Sequence, residues 1–135
     1  MESILIDTDV FSFLFKGDTR SHHYSQFLKE RAINLSFMSV AEIKRWSIQR
    51  KWAAKRLREL ADALSRCVII PYDPSMIDVW AAIAAHRDSI GRPIGCGDCW
   101  IAATAVRHGL PLVTHNASHF VDIPGLKVLT RSDKT

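Results

Sequence analysis

Two aspartates, Asp7 and Asp9, flank a single threonine where one short apolar run, Ile4-Leu5-Ile6, ends and the next begins. Clustered carboxylates repel one another and are costly to bury unless a cation neutralises them. Hard divalent ions such as Mg²⁺ and Mn²⁺ prefer oxygen ligands, and Mg²⁺ takes one or two carboxylates while keeping waters and substrate phosphates. Two such ions about 3.5–4 Å apart activate a water and stabilise the leaving oxygen of a phosphodiester. Asp7 is therefore read as a metal ligand, since a strand end inside an apolar run leaves it no capping role. Glu42, Asp98 and Asn116 are further candidates, each with a duller alternative. Asp9 suits the N-cap of a helix starting at Val10. Ser39-Val40-Ala41-Glu42 has the form of a capping box, with Glu42 bonding back to the Ser39 amide. Asp98 lies in a first helical turn, where the helix dipole favours an acid. Asn116 suits a turn.

Bringing these residues together is the task of the elements around them. Composition and periodicity predict strands over 4–7, 34–38, 68–72, 112–114 and 127–130. Helices are predicted from residue 10 to a break at Gly17-Asp18, then over 21–31, 39–49, 53–66, 75–89 and 97–108, the last stopped by Gly109. The alternation gives an α/β domain, a mostly parallel sheet with helices on both faces. In such sheets ligands bind beyond the carboxyl ends of the strands. Asp7 and Asp9 follow the first strand, Ser39 and Glu42 the second, and Thr114, His115 and Asn116 the fourth. Asp98 opens the helix that returns to that fourth strand, so all of them fall at one sheet edge.

The 135 residues are 47% hydrophobic, enough for a single domain over 1–135 to fold without a disulfide or metal staple. Three cysteines argue against a disulfide framework. No basic leader or membrane-length apolar run is present, so a cytoplasmic protein with no membrane partner is expected. The net charge is +4. Seven of the eighteen basic residues fall between Lys44 and Arg58 (Lys44, Arg45, Arg50, Lys51, Lys55, Arg56 and Arg58), with Trp46 and Trp52 among them. A basic, aromatic-bearing stretch suits RNA. The alternative is a solvated helix face with two core tryptophans.

The segments "LIDTDVFSFL", "FMSVAEIKRW", "GRPIGCGDCWIAATAVRHGLPLVTHNASHF" and "IPGLKVL" occur in the order and spacing of PIN-domain ribonucleases, specifically VapC-type toxins. The resemblance spans nearly the whole chain. It carries the family's metal-binding acids to Asp7, Glu42 and Asp98 and a fourth position, Asp or Asn in relatives, to Asn116. Thr114 matches a hydroxyl position near the metals. Asp9 occupies a place often held by Asn that supports the first acid. The resemblance implies Mg²⁺- or Mn²⁺-dependent RNA cleavage, homodimerisation and inhibition by a cognate antitoxin. Lys44, Arg45, Arg50 and Lys51 are then expected to hold the RNA backbone.

Other readings compete. "ILIDTDV" also carries the D-x-D opening of the DxDx[TV] motif of haloacid-dehalogenase-like phosphatases, but Phe11 stands at the Thr/Val position, Gly97-Asp98 precedes Thr114, the second loop acid is absent, and Glu42 has no role. Cys96 and Cys99, with His115 and His119, satisfy a C-x2-C…H-x3-H zinc spacing, or a thiol pair. A PIN fold acting chiefly as a binding partner, with weak catalysis, is the remaining alternative.

Overall fold

The computed structural model describes residues 2–131. Its strands are β1 (Ser3–Ile6), β2 (Ala32–Ser36), β3 (Val68–Ile70), β4 (Leu112–Val113) and β5 (Val128–Leu129). They form one parallel sheet in the order β3-β2-β1-β4-β5. The helices are α1 (Thr8–Lys16), α2 (Ser25–Leu28), α3 (Phe37–Gln49), α4 (Ala54–Ser65), α5 (Met76–Ser89) and α6 (Cys96–His108). The expected α/β class, with helices on both faces, is observed.

Alternate strand residues point to opposite faces. Leu5 and Leu112 join Ile83, Ile101, Ala102 and Phe120 in one core under α5 and α6. Ile4, Ile6, Leu35 and Val113 join Val10, Phe11, Ile43 and Leu60 in the other, under α1, α3 and α4. Burial on both faces explains why the central strands β1 and β4 read as short unbroken apolar runs. β1 lies at the centre, with β2 on one side and β4 on the other. The chain after β1 runs toward β2 and the chain after β4 toward β5, in opposite directions, and a crevice opens at the carboxyl ends of β1 and β4. No helix among the described residues is long and apolar enough to cross a membrane.

Three local expectations are corrected. Asp7 does have a capping role: α1 starts at Thr8, and Asp7 Oδ1 accepts a hydrogen bond from Thr8 N at 2.7 Å. The Ser39–Glu42 capping box does not form. α3 begins two residues earlier than predicted because Ser36 caps it, its hydroxyl accepting from Met38 N at 3.1 Å. Ser39 is then buried inside the helix, and Glu42 is released from the backbone. The helix predicted over 21–31 is instead a 3₁₀ segment, Thr19–Tyr24, followed by the single turn of α2. The segment is anchored by fully buried Tyr24, whose hydroxyl lies 2.5 Å from His115 Nδ1. A local helical pattern there yields to a long-range contact.

Candidate active site

The crevice holds a cavity of about 210 Å³ lined by Asp7, Thr8, Asp9, Glu42, Trp46, Asp98, Asn116 and His119. All four acids expected from the sequence, and Asn116, thus share one wall. The β1–α1 junction supplies Asp7 and Asp9, the second turn of α3 supplies Glu42, and the first turn of α6 supplies Asp98. The loop after β4 supplies Asn116, and the 3₁₀ segment Ala117–Phe120 supplies His119.

Each carboxylate rests on a specific donor. Asp7 is 5% exposed, and its Oδ2 accepts from the Thr114 hydroxyl at 2.7 Å. That hydroxyl oxygen also accepts from Asn116 N at 3.0 Å, tying the β4 loop to β1. Glu42 Oε1 accepts from the Thr8 hydroxyl at 2.8 Å, and Thr8 Oγ1 lies 2.9 Å from Ser39 Oγ. Asp9 Oδ1 accepts from Val10 N, while its Oδ2 accepts from His115 N and Asn116 Nδ2. Asp9 therefore clips the β4 loop, and the Asn116 amide nitrogen is turned to Asp9. Asp98 Oδ2 sits 3.2 Å from His119 Nδ1.

Gly97 is part of the same construction. A Cβ there would meet Glu42 Oε2 at 3.1 Å and Met38 Cε at 3.5 Å. The bare backbone of α6 is what lets the Glu42 carboxylate lie beside Asp98.

Burial and like charge oppose ionisation here. Burial, then the Asp9 charge, push Asp7 up to about 7 against the pull of the Thr114 and Thr8 hydrogen bonds. Burial also raises Asp9, against bonds from Val10 and His115. Burial raises Asp98, opposed by His119 and Arg87. Among the described residues, no three His, Cys, Asp or Glu side chains form a ready coordination set. The donor chemistry nevertheless fits a hard divalent cation. The converging acids offer only oxygen, and a cation would relieve the desolvation and repulsion that oppose ionisation of Asp7.

The zinc or thiol grouping is not assembled. Cys99 is buried with its Sγ on Trp80 O, Cys96 is exposed, His115 faces Tyr24 and His119 faces Asp98. Burial pushes the Cys99 thiol up to about 11, the opposite of an activated thiol. Lys44, Arg45, Arg50 and Lys51 are all exposed. The two tryptophans part company: Trp46 lines the cavity, while Trp52 stacks near Phe15 with ring centres 5.7 Å apart.

Several residues escape a sequence reading. Thr8, Gly97 and the Asp98–His119 pair are local to recognised acids, and their positions beside those acids were the available signal. Arg87 had none. It is 5% exposed and donates from Nε to Arg92 O and from Nη1 to His119 O and Val121 O, fastening the loop that carries His119.

The model of the PIN domain family matches residues 4–126. A VapC ribonuclease of Sinorhizobium fredii is 30% identical over 135 residues, covering 93% of this chain and 95% of the relative. The tRNA(fMet)-specific endonuclease VapC of Shigella flexneri is 25% identical, covering 94% and 96%. Among solved structures, VapBC2 from Rickettsia felis bound to a promoter DNA fragment superposes with a TM-score of 0.85 at 23% identity, covering 96% and 99%. A toxin–antitoxin complex from Klebsiella pneumoniae superposes with a TM-score of 0.69 at 27% identity, covering 94% and 96%.

Proposed function

The chain belongs to the PIN-domain family, among the VapC ribonucleases, and from that premise we propose that it is a metal-dependent endoribonuclease toxin neutralised by a cognate antitoxin. The observation that carries this is the convergence of Asp7, Glu42 and Asp98 on one cavity at the β1/β4 crevice. The names of the relatives, ribonucleases and toxin–antitoxin complexes, support the activity and the partner. A single domain over 1–135, a homodimer and a cytoplasmic location complete the proposal.

Asp7, Glu42 and Asp98 would hold Mg²⁺ or Mn²⁺, with Asp9 and Asn116 beside them. A divalent cation held there would supply positive charge, lowering the pKa of a water and offsetting the charge of the phosphodiester. The protein's own contribution is orientation. Thr114 and the Thr8 amide fix both oxygens of Asp7, Thr8 fixes Glu42, and His119 fixes Asp98. A carboxylate oxygen of Asp98 or Glu42 accepts the proton of the water whose oxygen bonds to phosphorus, as the opposite P–O bond breaks. Lys44, Arg45, Arg50 and Lys51 hold the RNA backbone, a contribution that is largely independent of sequence.

The test is cleavage of a mixed pool of structured RNAs by antitoxin-free protein, with Mg²⁺, with Mn²⁺ and with EDTA. Asp7→Asn and Asp98→Asn are run alongside. Metal-dependent cuts that vanish in both variants are expected. Equal cutting by wild type and folded variants would sink the assignment of the site.

A further inference from the structure

We infer that the Trp46 indole is a stacking platform for an unpaired base next to the scissile phosphate, with Arg50 and Lys16 holding the backbone just beyond it. This rests on the nuclease proposal and adds to it a substrate feature, a single-stranded nucleotide at a defined position.

Glu42, Trp46 and Arg50 are spaced by four residues along α3 and its C-terminal cap, so they form one stripe down one helix face. The stripe starts at the acidic cavity, which both Glu42 and Trp46 line. The indole is half-buried and packs partly against the core, which fixes its ring. Two cations from different elements lie over that ring, where an incoming base would take their place. Arg50 Cζ lies 5.4 Å from its centre, and Lys16 Nζ, from the last residue of α1, lies 6.0 Å away. Along α3 the order outward from the cavity is thus carboxylate, aromatic ring, guanidinium. A single RNA strand offers the matching order: a phosphate at the acidic cavity, a base, and a further phosphate. Base–aromatic stacking tolerates any base and needs that base unpaired.

Trp52 shows that the arrangement is not a general property of the basic segment. Its ring faces Phe15 and Arg56 and lines no part of the acidic cavity. A partner protein's peptide is the less favoured occupant. A cationic side chain reaching for the acids along this stripe would pass Arg50 and Lys16, both of its own sign.

The experiment uses the full chain with Mg²⁺ or Mn²⁺ and a short mixed-sequence single-stranded RNA. Trp46→Leu, Trp46→Phe and Arg50→Gln are compared with wild type, each checked for folding by circular dichroism. Trp46→Leu is expected to raise KM about tenfold with kcat little changed, Trp46→Phe to recover most of the loss, and Arg50→Gln to raise KM less. An abasic residue is then placed at successive positions beside the cut. At one position it should cost wild type the same factor as Trp46→Leu and cost Trp46→Leu nothing further. Unchanged KM in Trp46→Leu, or abasic losses that simply multiply with it, would overturn the platform while leaving the nuclease standing. Absence of cutting by wild type in either metal overturns the nuclease reading instead. If Trp46→Leu cuts normally but resists the antitoxin, the ring serves the partner protein and the platform is overturned.

Discussion

Asp7 carries a cost that a structural residue would not. An ordinary aspartate titrates near 3.8, whereas here burial and Asp9 push Asp7 up to about 7. The folded state therefore binds this proton more tightly than the unfolded chain does. Its contribution to stability is complete below pH 3.8 and is lost as pH rises to about 7, beyond which the loss is constant. In EDTA, Asp7→Asn should accordingly be more stable than wild type by up to about 4 kcal/mol at slightly alkaline pH, with the gain vanishing in acid. Urea denaturation of both proteins across that range checks it; a variant less stable than wild type at every pH would show that the hydrogen bonds to Thr114 and Thr8 outweigh the buried charge. Gly97 gives a complementary prediction. A Cβ there sits 3.1 Å from Glu42 Oε2, so Gly97→Ala displaces the carboxylate. Misplacing a ligand is expected to cut the cleavage rate at least about tenfold. Alanine also gains about 1 kcal/mol of helix propensity over glycine, so the thermal midpoint should hold or rise. Loss of activity together with a lower midpoint would mean that the clash disturbs the helix and not the site.

Among the elements, those built from strong local signals were legible and those decided by distant contacts were not. β1 and β4, which end at Ile6 and Val113, one residue before the predicted ends, α6 with its stop at Gly109, and the break at Gly17 all follow from apolar runs and left-handed glycines. The start of α3 was misplaced because two serines compete for the cap, and only the path of β2 decides for Ser36. The 21–31 segment was misread because Tyr24 is drawn to His115, 91 residues away. The acids were legible individually and their convergence followed from topology. Their mutual arrangement was not legible, since Asp9 turns to Asn116 and Glu42 to Thr8. Arg87 is the plainest omission. It lies on α5, far in sequence from the carbonyls it serves, and resembles any surface arginine of a helix. Arg87→Met should lower stability by about 3 kcal/mol, because three part-buried bonds from a charged donor are lost. Hydrogen exchange should also quicken between residues 117 and 123. Normal exchange there, with an unchanged denaturation midpoint, would show that the loop is held by its apolar contacts alone.

At the scale of the whole molecule, the sheet order separates two electrostatic regions. The crossovers on either side of β1 collect the acids in one crevice, while α3 carries cations outward from it. A net charge of +4 therefore coexists with an acidic centre. The two regions have different tasks: the acids fit a metal, and the cations fit the phosphates that a metal site alone would repel. The sequence showed both populations of charge, but their adjacency depends on strand order, which alternation of strands and helices does not specify. The division predicts how affinity responds to salt. For single-stranded nucleic acid, the slope of log affinity against log salt is about −0.7 for each phosphate neutralised. Lys44→Gln and Arg45→Gln should each reduce the slope by up to about 0.7 and weaken binding alike for unrelated RNA sequences. Asp98→Asn should leave the salt slope of metal-free binding unchanged or make it steeper, since it removes a negative charge. Fluorescence anisotropy of labelled single strands over a salt series in EDTA measures all three. If the two cation variants changed sequence preference while leaving the slope intact, Lys44 and Arg45 would be reading bases, and the backbone contacts would have to lie on another face.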